Sequence, residues 1–193
     1  MNESREFRRI NETERKIIES SISKISPGIL SKLNKIEFQL LISFNLLDSI
    51  DRYPKIFLIS NDHANLITII NQEFKITTAG LYFGFIKKDK FLLSLEGAEY
   101  LHNQGLFSQV QRIYTTIEGE KSILYGNNVL KKMIEGLPSN LKKNGFLLVF
   151  NQAKELIAVA KSQVDFQTSL KLKDNNIIAL NLVDKGSYLR IKQ

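Results

Sequence analysis

The 193-residue chain contains no cysteine and only two histidines. Without cysteine, neither a disulfide framework nor a zinc–thiolate site can form, and a reducing interior compartment is the simplest expectation. His63 and His102 are too isolated to suggest a metal site or an acid–base pair. We therefore expect no metal site in this protein.

The sequence also lacks the short motifs that mark common enzyme and cofactor sites. It has no P-loop, no dinucleotide-binding glycine fingerprint and no Gly-x-Ser-x-Gly elbow. Catalysis requires several positioned groups with tuned pKa values, and no such set can be recognised. We expect no catalytic residues and no cofactor, and we predict that the protein is not an enzyme.

Long apolar runs are missing as well. None approaches the roughly 18 residues that a membrane helix requires, so we expect no membrane-spanning segment. The first residues, MNESREFRRINETERK, carry charges of both signs and no apolar core, so no secretory signal is expected.

The feature that stands out is an uneven distribution of charge, within a net charge of +7. Residues 1–104 contain 14 Lys and Arg against 13 Asp and Glu, a net +1, whereas residues 105–193 contain 13 against 7, a net +6. This split favours two domains, 1–105 and 106–193, of which only the second faces a polyanion. The alternative is that the positive charge serves solubility alone.

The first domain reads as a mixture of helices and strands. Ile17, Ile18, Ile22 and Ile25 predict a helix with Asn11 or Thr13 as N-cap. Two apolar runs around Lys87–Lys90 predict a β-hairpin. Further predicted elements are strands at 36–44 and 55–60, a helix at 62–72 with Leu66, Ile69 and Ile70 on one face, and a short helix at 96–103.

The second domain is richer in short apolar runs with β-branched and aromatic residues. Such runs, separated by turns, suggest a small barrel-like fold. The five predicted strands are 112–117, 145–150, 155–160, 176–183 and 187–191.

The segment ILYGNNVLKK, residues 123–132, combines a glycine, two asparagines and two lysines. A helical spacing of apolar residues predicts a helix after Gly126, capped by Asn127 or Asn128, with Lys131 and Lys132 facing water. Free backbone amides at a helix start, together with lysines, suit a phosphate group. The alternative is an ordinary glycine turn, an N-cap and two solvated lysines. The apolar residues are Val129, Leu130, Met133, Ile134 and Leu137.

This segment resembles the helix and glycine loop of the PUA domain, an RNA-binding module. The chain as a whole is similar to the Nip-seven family of large-ribosomal-subunit biogenesis proteins, although Lys132 stands where that family more often has a small residue. The matching segments, in the family's order, are NETERKIIESSISKI, LYFGFIKKDKFLLSLEGAEYL (81–101), LYGNNVLKK (124–132), VAKS (159–162) and DKGSYLR (184–190).

The resemblance implies an α+β protein: an N-terminal mixed α/β domain with an antiparallel-rich sheet, followed by a C-terminal PUA-type β pseudo-barrel. Tyr125 and Tyr188 have rings that could stack on bases, but we predict that they are core residues. The resemblance, with the basic charge, gives the expected RNA-binding residues as Gly126, Asn127, Asn128, Lys131, Lys132, Lys161, Lys171, Lys173 and Arg190.

The expected function is RNA binding in large-subunit pre-rRNA processing and assembly, with ribosomal precursor RNA as partner. The resemblance implies that the N-terminal domain contacts proteins such as other assembly factors or exosome components. We expect a monomer in the cytoplasm, or in the nucleolus if the source is eukaryotic. Two alternatives remain open: an RNA-modification enzyme or accessory subunit carrying a PUA module, and a protein–protein adaptor.

Overall fold

A computed structural model gives the structure of residues 6–35, 38–44, 53–70, 74, 76, 78–107 and 111–190. The chain divides into two compact units, Met1–Phe107 and Ser108–Gln193. Each unit contains its own five-stranded sheet. We refer to them as the first and the second unit.

The first unit is an antiparallel sheet with strand order β1-β2-β3-β4-β5 and helices packed on it. Four consecutive residues of β3, 56–59, are all buried, so both faces of this strand are covered. Phe57 and Ile59 pack against Ala64 and Ile67 of α3. The elements are β1 (Glu6–Arg9), α1 (Glu12–Ile22), α2 (Ile29–Lys35), β2 (Phe38–Phe44), β3 (Lys55–Ser60), α3 (Asn61–Ile70), β4 (Leu81–Lys87), β5 (Lys90–Leu93) and α4 (Leu95–Asn103).

Helix α1 begins with a capping box, which confirms Asn11 as the N-cap. The Asn11 side chain accepts from the Glu14 backbone N–H at 2.9 Å, and the Glu14 carboxylate accepts from the Asn11 N–H at 2.8 Å. Arg8 of β1 donates two hydrogen bonds to the same carboxylate, at 2.7 and 2.9 Å. Burial raises the pKa of Glu14, but the bonds from Arg8 and Asn11 and the charge of Arg8 outweigh it, so the pKa lies below its ordinary value.

The hairpin predicted around Lys87–Lys90 is confirmed, because Lys88 and Asp89 form a two-residue turn between β4 and β5 with φ of 47° and 55°. Positive φ at both central residues matches the right-handed twist of the strands. Helix α3 is also present; Leu66, Ile69 and Ile70, predicted to lie on one face, are exposed, whereas Ala64 and Ile67 pack against the sheet. Residues 71 and 72 of that prediction lie outside the described residues, and β1 and α2 were not predicted.

The second unit has strand order β6-β8-β9-β10-β7, in which β6 is parallel to β8 and the other pairs are antiparallel. The elements are β6 (Gln111–Tyr114), α5 (Ile117–Leu124), β7 (Val129–Leu130) with a 3-10 turn (Lys131–Met133), β8 (Phe146–Phe150), β9 (Leu156–Ser162), α6 (Phe166–Leu170), β10 (Ile177–Asp184) and α7 (Ser187–Arg190).

The segments that follow the two edge strands, β6 and β7, are hydrogen-bonded to each other, and this curls the sheet into a partial barrel. The Thr116 N–H donates to the Met133 carbonyl at 3.0 Å, and the Glu135 N–H donates to the Tyr114 carbonyl at 2.9 Å. Apolar residues from β6, β8, β9, β10 and α5 fill the interior. The predicted fold class, an α+β protein with an antiparallel sheet in its first unit and a barrel-like second unit, is confirmed.

Two predicted elements of the second unit are wrong. The helix near Gly126 precedes it instead of following it, because Thr116 caps α5 by accepting from the Gly119 N–H at 3.1 Å. The helically spaced residues from Val129 onward pack into the barrel from β7 and irregular backbone. The strand predicted at 187–191 is the short helix α7 as far as Arg190, and Ile191 lies outside the described residues.

Candidate nucleic-acid interface

The glycine loop, Gly126–Asn128, follows the C-terminal end of α5. Gly126 has a φ of +90°, which an L side chain rarely adopts. Its N–H donates to the Ile123 carbonyl at 2.8 Å, and the Asn127 N–H donates to the Ser122 carbonyl at 3.3 Å. The Asn127 side-chain amide also donates to Ser122 Oγ at 3.1 Å. The loop is therefore fastened to the helix that it leaves.

A cluster of three side chains from β10 and α7 holds the last carbonyls of α5; we call Asn181, Asp184 and Arg190 the capping cluster. Asn181 Nδ2 donates to the Ile123 carbonyl at 3.1 Å, and Arg190 Nη1 donates to the Leu124 carbonyl. Donors at this position satisfy carbonyls that have no partner within the helix, and a cation complements the helix dipole.

The buried carboxylate of Asp184 joins the capping cluster together. Its Oδ2 accepts from Asn181 Nδ2 at 2.9 Å and from Arg190 Nη2 at 2.8 Å. The hydrogen bond from Arg190 to Asp184 and the opposite charge raise the pKa of Arg190. Arg190 is thus engaged within the protein, and Asp184, whose side chain is 3% exposed, is neutralised by it.

This geometry corrects the predicted phosphate site at the glycine loop. Asn127 and Asn128 do not begin a helix; they follow the carbonyl end of α5, where the helix dipole is negative and disfavours an anion. The Asn128 side-chain oxygen instead accepts from the Asn181 N–H at 3.2 Å. Both asparagines contribute to fixing the shape of the loop.

The predicted lysines Lys131, Lys132, Lys171 and Lys173 lie near the start of β10, at the end opposite to Asp184. The Lys131 N–H donates to the Asn176 carbonyl and the Lys132 N–H to the Asp174 carbonyl, both at 3.0 Å, which joins these residues to the segment before β10. Lys132, Lys171 and Lys173 are all exposed there, and we call them the lysine patch. In the part of the chain that the structure describes, no carboxylate forms an ion pair with any of the three.

Lys131 does not face water as predicted. It is half-buried, and its Nζ donates to the Leu170 and Leu172 carbonyls at 3.4 and 2.8 Å. Leu170 ends α6, so this ammonium group satisfies carbonyls at a helix C-terminus. Lys131 therefore anchors the segment that carries Lys171 and Lys173.

Lys161 lies on β9 and is exposed. It is next to Ser162, which is linked to β7 by cross-strand pairing. Lys161 is paired with Leu180 of β10, and Ser162 is paired with Ala179 of the same strand. Ala179 is in turn paired with Val129 of β7. Two strand spacings separate β9 from β7, about 10 Å. The backbone of Lys161 is therefore near the start of the lysine patch.

The predicted site residues thus form two groups along β10. The glycine loop contacts Asn181 near the end of β10, and Arg190 contacts Asp184 at that end, whereas Lys131 and Lys132 pair with the residues just before Ile177. Seven residue-to-residue steps lead from Ile177 to Asp184, or about 20 Å. The structure brings the lysines together, and it brings Arg190 to the glycine loop, but it keeps the two groups apart.

From the sequence, two residues of this surface were misplaced and two others were not singled out. Tyr125 and Tyr188 were expected in the core but are 78% and 51% exposed. Asn181 was not singled out, since nothing local to an asparagine in a strand shows that it reaches a helix end. Asp184 opens the segment DKGSYLR, so its position in a matching segment was the available signal.

Comparisons with known proteins agree with the fold. Residues 111–193 match the UPF0113 PUA domain family. The chain is 24% identical over 184 residues to a UPF0113 protein of Archaeoglobus fulgidus, covering 95% of this chain and 94% of the relative. It is 26% identical over 137 residues to the 60S ribosome subunit biogenesis protein NIP7 homolog of Xenopus laevis, covering 70% and 73%.

A solved structure of a conserved PUA domain protein from Thermoplasma acidophilum superposes with a TM-score of 0.60 over 95% of this chain and 97% of that one, at 14% identity. The solved structure therefore shows the same fold, the second unit matches the UPF0113 PUA domain model, and the chain is similar to Nip-seven relatives at modest sequence identity. Among the described residues, no helix is long and apolar enough to cross a membrane, and no cluster of three potential metal ligands occurs.

Proposed function

We propose that this protein binds ribosomal precursor RNA through its PUA domain and acts in assembly of the large ribosomal subunit, without catalysing a reaction. The observation that carries the proposal is the lysine patch: three exposed lysines on one surface of a PUA domain that matches the UPF0113 family. The naming of NIP7 relatives as 60S biogenesis proteins supports the ribosomal setting.

Electrostatics favours the second unit as the RNA-binding unit. Its net charge is +6, from 13 Lys and Arg against 7 Asp and Glu over residues 105–193. Three of its cations, Lys132, Lys171 and Lys173, extend into water without an opposing carboxylate in the described structure. Contacts between such lysines and phosphate oxygens give affinity that depends little on sequence.

The nine predicted residues take different parts in the proposal. Lys132, Lys161, Lys171 and Lys173 contact phosphates, because their side chains are exposed. Lys131 and Arg190 hold the surface in shape through their bonds to carbonyl oxygens at the ends of α6 and α5. Gly126, Asn127 and Asn128 form the loop that borders the surface.

The test is the salt dependence of binding to a single-stranded RNA. Four phosphate contacts predict a slope of log K against log salt of about −2.8, from roughly 0.7 per contact. Substituting Lys132, Lys171 and Lys173 together by glutamine should reduce the magnitude of that slope by about 2. Titrations at several salt concentrations, followed by fluorescence anisotropy of labelled RNA, measure both slopes.

Lys154 provides the matched control, since it is an exposed lysine in the turn between β8 and β9, at the end of β9 remote from Lys161. Lys154→Gln should leave the slope unchanged. Equal slopes for the wild type and the triple variant would contradict the lysine patch as the binding surface. If wild-type protein bound RNA no better than an uncharged protein does, RNA binding itself would be refuted.

The first unit, which is nearly neutral, is proposed to contact proteins such as other assembly factors or exosome components. The protein is proposed to act as a monomer in the cytoplasm, or in the nucleolus of a eukaryotic cell. Affinity purification of the full chain, compared with a version in which the lysine patch is neutralised, separates protein partners from RNA-dependent ones. Turnover of an RNA substrate by the purified protein would overturn the non-enzymatic role.

A further inference from the structure

We infer that Tyr125 stacks on an unpaired base of the bound RNA and that the capping cluster of Asn181, Asp184 and Arg190 holds it in place to do so. This inference rests on the proposed function and adds to it a residue that contacts a base and so distinguishes an unpaired strand from a duplex. Phosphate contacts alone do not distinguish an unpaired strand from a duplex, whereas a base can stack on a side chain only when its face is free.

The first argument is the exposure of the ring. Tyr125 is 78% exposed, so its aromatic surface contributes little to the core of the second unit. It is the C-cap residue of α5, directly after Leu124 and directly before the glycine loop. Single-strand-binding proteins use aromatic rings held in water in this way, because every base has a face that can stack.

The second argument is the rigidity of the backbone on both sides of this ring. The Tyr125 N–H donates to the Lys121 carbonyl at 3.1 Å and the Gly126 N–H to the Ile123 carbonyl at 2.8 Å. The carbonyls of Ile123 and Leu124 accept from Asn181 and Arg190. Little backbone freedom remains to be lost when a base stacks, which lowers the entropic cost of binding.

The third argument is the position of the ring relative to the positive charge. The Arg190 guanidinium carbon lies 3.1 Å from the position that a Cβ on Gly126 would occupy, but Arg190 is paired with Asp184, so the cations that can meet phosphates are those of the lysine patch. The lysine patch lies at the other end of β10, about 20 Å along the strand. An extended single strand that stacks at Tyr125 can therefore place phosphates on the lysines.

The test compares three probes: a ten-nucleotide uridine RNA, the same RNA paired in a duplex, and inorganic polyphosphate. Tyr125→Ala should weaken binding of the single strand by roughly 5- to 150-fold, the range for one base–aromatic stack. It should leave polyphosphate affinity and the slope against salt unchanged, because the lysines remain. Ile117→Ala, which removes an exposed apolar side chain at the first position of the same helix, is the control and should change none of these.

A spectroscopic variant gives a direct readout. The chain contains no tryptophan, so Tyr125→Trp introduces a single one at the proposed contact. Its fluorescence should be quenched by the uridine RNA and unaffected by polyphosphate, since only a base can stack on the indole ring. Asn181→Ala should weaken the single-strand affinity of the Tyr125→Trp protein and reduce this quenching, while polyphosphate affinity is retained, which a merely electrostatic role would not produce.

The outcomes separate this inference from the proposed function. If wild-type protein binds the uridine RNA, but Tyr125→Ala binds it equally well and Tyr125→Trp shows no quenching, the inference is wrong and the proposed function stands. If wild-type protein does not bind the RNA at all, both fall. Equal loss of single-strand and polyphosphate binding in Tyr125→Ala would also overturn base stacking.

Discussion

Substituting Gly186 by alanine should destabilise the second unit, because at Gly186 the turn before α7 meets the end of α5 with no space for a side chain. A methyl carbon at Gly186 would overlap the Leu124 carbonyl oxygen and come within 2.8 Å of both the Leu124 carbonyl carbon and Arg190 Nη1. The Leu124 oxygen is a backbone atom, so it cannot move away as a flexible side chain could. The two segments must separate, which weakens the capping cluster.

The expected size of the effect follows from the packing. Adding a methyl group to a closely packed contact costs about 1–3 kcal/mol. For a unit spanning residues 108–193, each kcal/mol corresponds to roughly 4–8 °C in the melting temperature. Gly186→Ala should therefore lower the melting temperature of the second unit by about 5–20 °C. Scanning calorimetry of the full chain measures this shift.

Alanine substitutions at two other glycines of the second unit serve as reference variants. Gly126→Ala should cost about 1–2 kcal/mol, because φ is +90° there and the Arg190 guanidinium lies 3.1 Å from the added carbon. Gly136 has no heavy atom within 4 Å of an added Cβ and no positive φ. Gly136→Ala should have no effect or stabilise by up to about 1 kcal/mol.

Hydrogen exchange should show that the end of α5 and the glycine loop are the destabilised region. The amides of residues 123–127 should exchange faster in Gly186→Ala than in Gly136→Ala. Melting temperatures for Gly186→Ala and Gly136→Ala that agree within error would refute the close contact between α5 and the turn before α7.

Two further predictions concern helix starts. Glu14→Gln should lower the free energy of unfolding of the first unit by about 0.5–1 kcal/mol near neutral pH. The pKa of Glu14 is depressed in the folded state, so its contribution is present above the unfolded value near 4.3 and is lost as pH falls through the lower folded value. The difference between wild type and variant in urea titrations should thus shrink as the pH falls below about 4.3, and a constant difference would contradict the ion pair with Arg8. Thr116→Ala should lower the free energy of unfolding of the second unit by about 1 kcal/mol, because the cap of α5 is lost. Substitution of the exposed Ser139 by alanine is the control in a thermal unfolding assay. Equal stabilities of the two variants would contradict the cap.

Features governed by neighbouring residues could be predicted from the sequence. The N-cap of α1 depends on Asn11 and Glu14, which are three residues apart. The β4–β5 hairpin depends on a two-residue polar turn between apolar runs. The matching segments and the basic charge of residues 105–193 also indicated a PUA domain, and the fold and the family match agree with this.

Prediction failed where a pattern of apolar residues had two structural explanations. The spacing of Val129, Met133 and Leu137 suits a helix, yet barrel closure through Thr116 and Met133 buries the same region in a different backbone shape. The sequence also could not show which face of α3 is buried, since Leu66 and Ile67 are equally apolar and only packing against the sheet buries Ile67.

The sequence by itself determined the chemistry available to this protein: an excess of lysines in its second half, a glycine where the backbone needs positive φ, and strong local caps. Only the tertiary structure decided which of these groups face water. Lys131 is bound to carbonyl oxygens 39 and 41 residues away, and Asn181 reaches Ile123, 58 residues away. Such pairings form because the last carbonyls of α5 and α6 have no donor within their own helices, and which donors reach them depends on how the barrel closes.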